Sequence, residues 1–156
     1  MMRNVAVVGL LLGVCVPGLA SAQKPLGVTG TNSLIFGVVF PGVPKSISRT
    51  DAVNSGQFDI SGAKNAGIQI VFTLPATMLG PAGATMPVSF GANDGGYSPP
   101  QQIGLQQAFD PRVPYNTTLD KNGRVAVYLG GTANPLTSQR AGTYTGTVTL
   151  TVIYFP

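Results

Sequence analysis

Threonine stands at positions 143, 145, 147, 149 and 151, and between them lie Tyr144, Gly146, Val148, Leu150 and Val152, with Tyr154 keeping the same parity. A two-residue period held over about a dozen residues fits only a strand, in which successive side chains leave on opposite faces. One face is apolar and aromatic, and the other is a ladder of threonine. β-Branched and aromatic side chains suit such a half-buried pleated surface. The chain therefore builds at least one long amphipathic strand.

The first residues point elsewhere. Arg3 supplies a positive charge, Val5 to Val16 is an apolar run, Pro17-Gly18 breaks it, and Ala20-Ser21-Ala22 is a small-x-small cleavage site. This three-part layout predicts a secretory leader over residues 1–22, removed before Gln23. The apolar run, about twelve residues, is too short to span a bilayer as a helix. Export to the periplasm, the cell surface or the medium is expected, with no membrane span after cleavage. Cys15, the single cysteine, lies inside the leader. Residues 23–156 accordingly carry neither disulfide nor thiolate chemistry.

Outside the leader no stretch keeps a helical period, and short apolar runs alternate with Gly, Pro, Asn and Asp clusters, the pattern of an all-β sandwich or barrel. Residues 23–33 read as an N-terminal extension and 34–156 as one β-sandwich domain. Strands are expected over Ser33–Phe40, Gly56–Ser61, Ala66–Leu74, Thr85–Ala92, Tyr115–Leu119 and Arg124–Gly130, followed by the terminal strand. Asn93-Asp94-Gly95-Gly96 reads as a turn and 97–112 as a loop. Asp120-Lys121-Asn122-Gly123 reads as the turn of a hairpin joining Tyr115–Leu119 to Arg124–Gly130. The count of seven or eight strands favours an immunoglobulin-like two-sheet sandwich.

Chemistry is scarce. The chain has no histidine, tryptophan or glutamate, so a Ser-His pair and an imidazole base are excluded. Asp94, Asp110 and Asp120 sit in turn contexts, where aspartate bonds to its own backbone. Asn93, Asp94 and Asp110 border one loop but lack a calcium-ligand spacing, and Asn116-Thr117-Thr118 matches a glycosylation acceptor only as a short motif. The formal net charge is +4, spread without a stripe that would suit nucleic acid. No enzyme activity, cofactor, metal or nucleic-acid partner is expected.

Three segments carry a resemblance: Leu34-Ile35-Phe36-Gly37, Phe72-Thr73-Leu74-Pro75, and Ala141-Gly142-Thr143-Tyr144-Thr145-Gly146 running on to Tyr154. The chain resembles the bacterial secreted domain-of-unknown-function family 4402, which is similar to spore coat protein U-like and chaperone–usher fimbrial subunits. The resemblance implies a pilin-like sandwich lacking its last strand. Its open edge would take a strand from a periplasmic chaperone and then from the next subunit, on passage through an outer-membrane usher. On that pattern Tyr144, Gly146, Val148, Leu150, Val152 and Tyr154 form the acceptor edge, and Leu26, Val28 and Gly30 are donor candidates. Partners would be other copies of the chain or related subunits.

The expected function is thus a structural subunit of a surface fibre, pilus or coat. A second function stays open on the residues: an adhesin or carbohydrate-binding module using Tyr97 and the loop 93–112. A third arrangement also stays open, a monomer in which the N-terminal segment pairs with its own domain.

Overall fold

The computed structural model describes residues 24–99 and 101–156, so the leader expected over 1–22 lies outside the described residues. Within them the chain is all-β, with twelve strands in three antiparallel sheets and two single-turn 3-10 helices. No described helix is long and apolar enough to cross a membrane.

The five-stranded sheet runs in the order β1 (Gly27–Asn32), β3 (Gly56–Ser61), β10 (Arg124–Leu129), β7 (Gly95–Ser98), β8 (Gln107–Phe109). The three-stranded sheet runs β12 (Thr149–Tyr154), β4 (Gly67–Thr73), β9 (Tyr115–Thr118). The four-stranded sheet runs β2 (Lys45–Ile47), β11 (Gly131–Ala133), β6 (Thr85–Ser89), β5 (Thr77–Leu79).

The period-two sequence pattern sets the layers. In β4, Ile68, Ile70 and Phe72 are buried, and in β10 Val125, Val127 and Leu129 are buried, each set on one face. Burying each such side chain stabilises the fold by about 1.5–3 kcal/mol. A column of rings joins the five-stranded and three-stranded sheets. Phe58 meets Phe72 edge-on at 5.7 Å, Phe72 lies 6.4 Å from Phe109, Phe109 stacks on Tyr115 at 4.3 Å, and Tyr115 lies 6.0 Å from Tyr97. Phe72 and Tyr115 come from one sheet and the other three rings from its partner, so the two pack face to face as a sandwich.

Several sequence expectations give way. Two sheets of seven or eight strands become three sheets of twelve, because short strands that the sequence hides in turn-rich stretches add pairings. Gly95 and Gly96 are not turn residues: they lie in β7, where a Cβ on Gly95 would stand 2.8 Å from Phe109 and one on Gly96 2.8 Å from Arg49. Glycine is there for close approach, and the expected loop 97–112 holds the rest of β7 and all of β8.

The hairpin also fails. β9 pairs with β4, while β10 pairs with β3 and β7, so the turn at 119–123 carries the chain from one layer to the other. Leu119, buried at 2 % exposure, and its N–H bond to Ala66 O at 2.9 Å hold that corner.

Ser33–Phe40 is not a strand either. Gly37 takes φ +63 and interrupts the extended run. Ile35 N–H donates to Asn54 O and the Lys45 ammonium to Val38 O, with no ladder formed.

Candidate functional site: an open strand edge and its groove

The terminal threonine run is used in two parts. β12 pairs with β4 from Thr149 opposite Thr73 to Tyr154 opposite Ile68. Farther back, Leu79 and Thr145 form an isolated bridge. Between these parts the partner stretch contains Pro75, which has no N–H to give to a ladder. From Thr145 to Tyr154 one edge of the run thus follows the chain from Ile68 to Leu79. The other edge of β12 has no strand beside it among the described residues. The alternation holds: Leu150, Val152 and Tyr154 are half-buried, and Thr149 and Thr151 are exposed.

Beside the front half of this run lies a groove of about 890 Å³. One wall is residues 142–148 and the other is residues 30–39. Met78, Met86, Val88 and Phe90 form the apolar floor. Tyr144, Gly146 and Val148 line the groove, whereas Leu150, Val152 and Tyr154 pack against the core farther along β12. The structure therefore places the six acceptor candidates on one continuous run and only three of them at the groove.

Local contacts fix the first wall. The Tyr144 ring lies directly over Gly80, where any side chain would overlap it. Its hydroxyl donates to Arg140 O at 2.8 Å and accepts from the Gln139 side-chain amide at 2.6 Å. At Gly146 a Cβ would come within 3.2 Å of Met78.

The opposite wall was not legible as such. Leu34, Phe36 and Val39 turn inward to line it, while Ile35, Val38 and Phe40 stay exposed, Val38 at 74 %.

The donor candidates lie close by in the same chain. Val28 and Gly30 are in β1, which pairs with β3 through Val28 opposite Ile60 and Gly30 opposite Phe58. Gly30 lines the groove, Leu26 packs against the core, and Val28 is largely exposed. In this state the segment belongs to its own domain, and donating it to another copy requires that it leave β3.

Tyr97, the expected sugar-contact residue, is not at the surface. It is 4 % exposed, its hydroxyl donates to Thr118 O, and its ring belongs to the aromatic column. A ring held between two sheets offers no platform to a sugar.

The ionisable groups lie away from the groove. The Asp110 carboxyl is pulled from its usual 3.8 to about 2 by the Arg112 side chain and then by the Arg112 N–H. Asp51 is lowered by the Asn54 side-chain amide and by the backbone N–H groups of Asn54 and Val53. Among the described residues no three of His, Cys, Asp or Glu gather in a way that would hold a metal. What the groove offers is apolar surface next to a run whose outer edge carries no strand among the described residues, an arrangement that suits strand addition.

No curated protein matches this chain. A family model described as "Domain of unknown function (DUF4402)" matches residues 29–154, from β1 to the last residue of β12, and the chain therefore belongs to the DUF4402 family.

Proposed function

We propose that this protein is a non-enzymatic structural subunit of a bacterial surface fibre, pilus or coat, exported through the periplasm and linked to other copies by strand addition at the free edge of β12. One observation carries the reading: beside an apolar groove runs an edge with no strand paired to it among the described residues, in a chain of high strand propensity. Such an edge templates uncontrolled pairing unless something covers it. An extended strand with alternating apolar side chains would satisfy the edge and fill the groove at once. On this reading the fold is an immunoglobulin-like, pilin-like sandwich that takes its added strand at β12, an outermost strand of its sheet among the described residues. The proposed donor is the segment around Leu26, Val28 and Gly30 of a neighbouring copy. A periplasmic chaperone would cover the edge first, and an outer-membrane usher would pass the subunit on.

The test uses two single variants of the naturally processed protein, Val28→Cys and Val148→Cys, mixed under mild oxidation over a range of concentrations. Strand exchange gives a covalent heterodimer that grows with concentration, alongside larger species by solution mass. Monomers at every concentration and no heterodimer would sink the proposal.

A further inference from the structure

The two candidate edges converge at one end of the sandwich. The Tyr154 hydroxyl, on the last residue of β12, donates to the backbone carbonyl of Lys24 and accepts from Ala63 N–H at 2.8 Å. Beneath it is Gly62, where a Cβ would stand 2.7 Å from Leu119, 2.8 Å from Leu26 and 2.8 Å from the Tyr154 hydroxyl oxygen. A side chain at 62 would push all three apart. One phenol thus ties together the chain entering β1, the turn after β3 and the end of β12.

Beyond that clasp β1 is lightly held. Four of its six residues are exposed, it is the outermost strand of its sheet, and its pairing slips between Gly30 and Asn32. Thr31 donates to Asp59, and Asn32 donates to Val53 O and Ser55 O, so its far end is pinned from the side. The stretch after it, 33–44, contains no strand. It would serve as a tether if β1 swung away.

We infer that Tyr154 is an autoinhibitory latch: its hydroxyl holds β1 on β3 of the same chain and so restrains the segment from serving as a donor to another copy. The inference rests on the strand-exchange reading above and adds its control. Breaking the Tyr154–Lys24 bond frees the leading end of β1 without removing any apolar packing, because phenylalanine fills the same volume. Peeling then starts at Lys24 and Leu26 and proceeds toward Asn32.

The experiment compares naturally processed wild type, Tyr154→Phe and Tyr115→Phe, Tyr115 lying in β9 away from the groove. The last loses a phenol hydroxyl that makes no bond to β1. Hydrogen exchange of the β1 amides and solution mass against concentration are read together. In Tyr154→Phe the bonds to Lys24 O and from Ala63 N–H are both lost, and the β1 amides exchange at least about tenfold faster. Assembly then begins at a correspondingly lower concentration, and Tyr115→Phe matches wild type in both. Unchanged β1 exchange in Tyr154→Phe overturns the latch and leaves strand exchange standing if wild type still assembles. Faster β1 exchange with every protein monomeric overturns the regulatory role together with the strand-exchange reading.

Discussion

Leu79 and Thr145 exchange both of their backbone hydrogen bonds, at 2.7 Å from Leu79 N–H and 2.9 Å from Thr145 N–H. This bridge decides which edge of the terminal run is available. It engages the inner edge with β5, as Thr149–Tyr154 engage theirs with β4, so the paired stretches of the run share one edge. Tyr144, next to the bridge, then stands as part of a wall and not as a loose side chain.

That wall depends on Gly80. Gly80→Ala drives a methyl into the Tyr144 ring. The expected cost is about 1–3 kcal/mol, as for other overpacked sites. Chemical denaturation should show the loss with an unchanged m-value. Tyr144→Leu on the Gly80→Ala background should recover part of it. A full penalty in the double variant would mean that the ring is not the source of the strain.

Tyr97→Ala separates structure from recognition. Its ring is buried in the aromatic column and its hydroxyl serves Thr118 O. Removing both costs about 3–5 kcal/mol, read as a lowered midpoint in urea. A variant as stable as wild type would contradict the buried position.

The acid response follows from Asp110 and Asp51. Both carboxyls titrate lower in the fold than in the unfolded chain. Their contribution is complete above the unfolded value near 3.8, and that of Asp110 is lost as pH falls through about 2. Thermal midpoints should therefore drop over that window. Asp110→Asn should be less stable than wild type at neutral pH and fall less steeply in acid. Both groups are open to solvent, so screening by salt should shrink the difference. Parallel curves for the two proteins would remove Asp110 from the account.

How much of this was legible in the sequence depended on where the deciding contact lies. The faces of β4, β10 and β12 could be read because burial repeats every second residue along the strand itself. The Ser33–Phe40 run could not: its residues suit a strand, but a strand needs a neighbour, and the edge it faces across the groove is not bonded to it. The 115–130 hairpin failed for a related reason. Asp120 does organise a turn, accepting from Asn122 N–H at 2.8 Å and Arg124 N–H at 2.7 Å. That turn joins two layers and not two partners, and local chemistry does not distinguish the cases. The Tyr154–Lys24 clasp joins the two ends of the described chain, and no local pattern announces it. Parity placed Tyr154 correctly on the inner face and gave no sign of its hydroxyl's partner.

Val148→Lys tests the groove from inside. Val148 is half-buried and lines the groove beside Gly146. With the groove empty, a lysine there keeps its ammonium in water by laying its stem along the wall. The fold should lose no more than about 1 kcal/mol. An inserted strand would strip water from that charge and offer it no acid in return, and burying an unpaired ammonium is costly. Concentration-dependent assembly should therefore weaken at least tenfold while the thermal midpoint moves by only a few degrees. Val148→Ile, which keeps the surface apolar, should assemble like wild type. If Val148→Lys assembled as well as Val148→Ile, the contact between copies would lie away from this groove, and the free edge of β12 would have to be covered by something other than a strand packed against Val148.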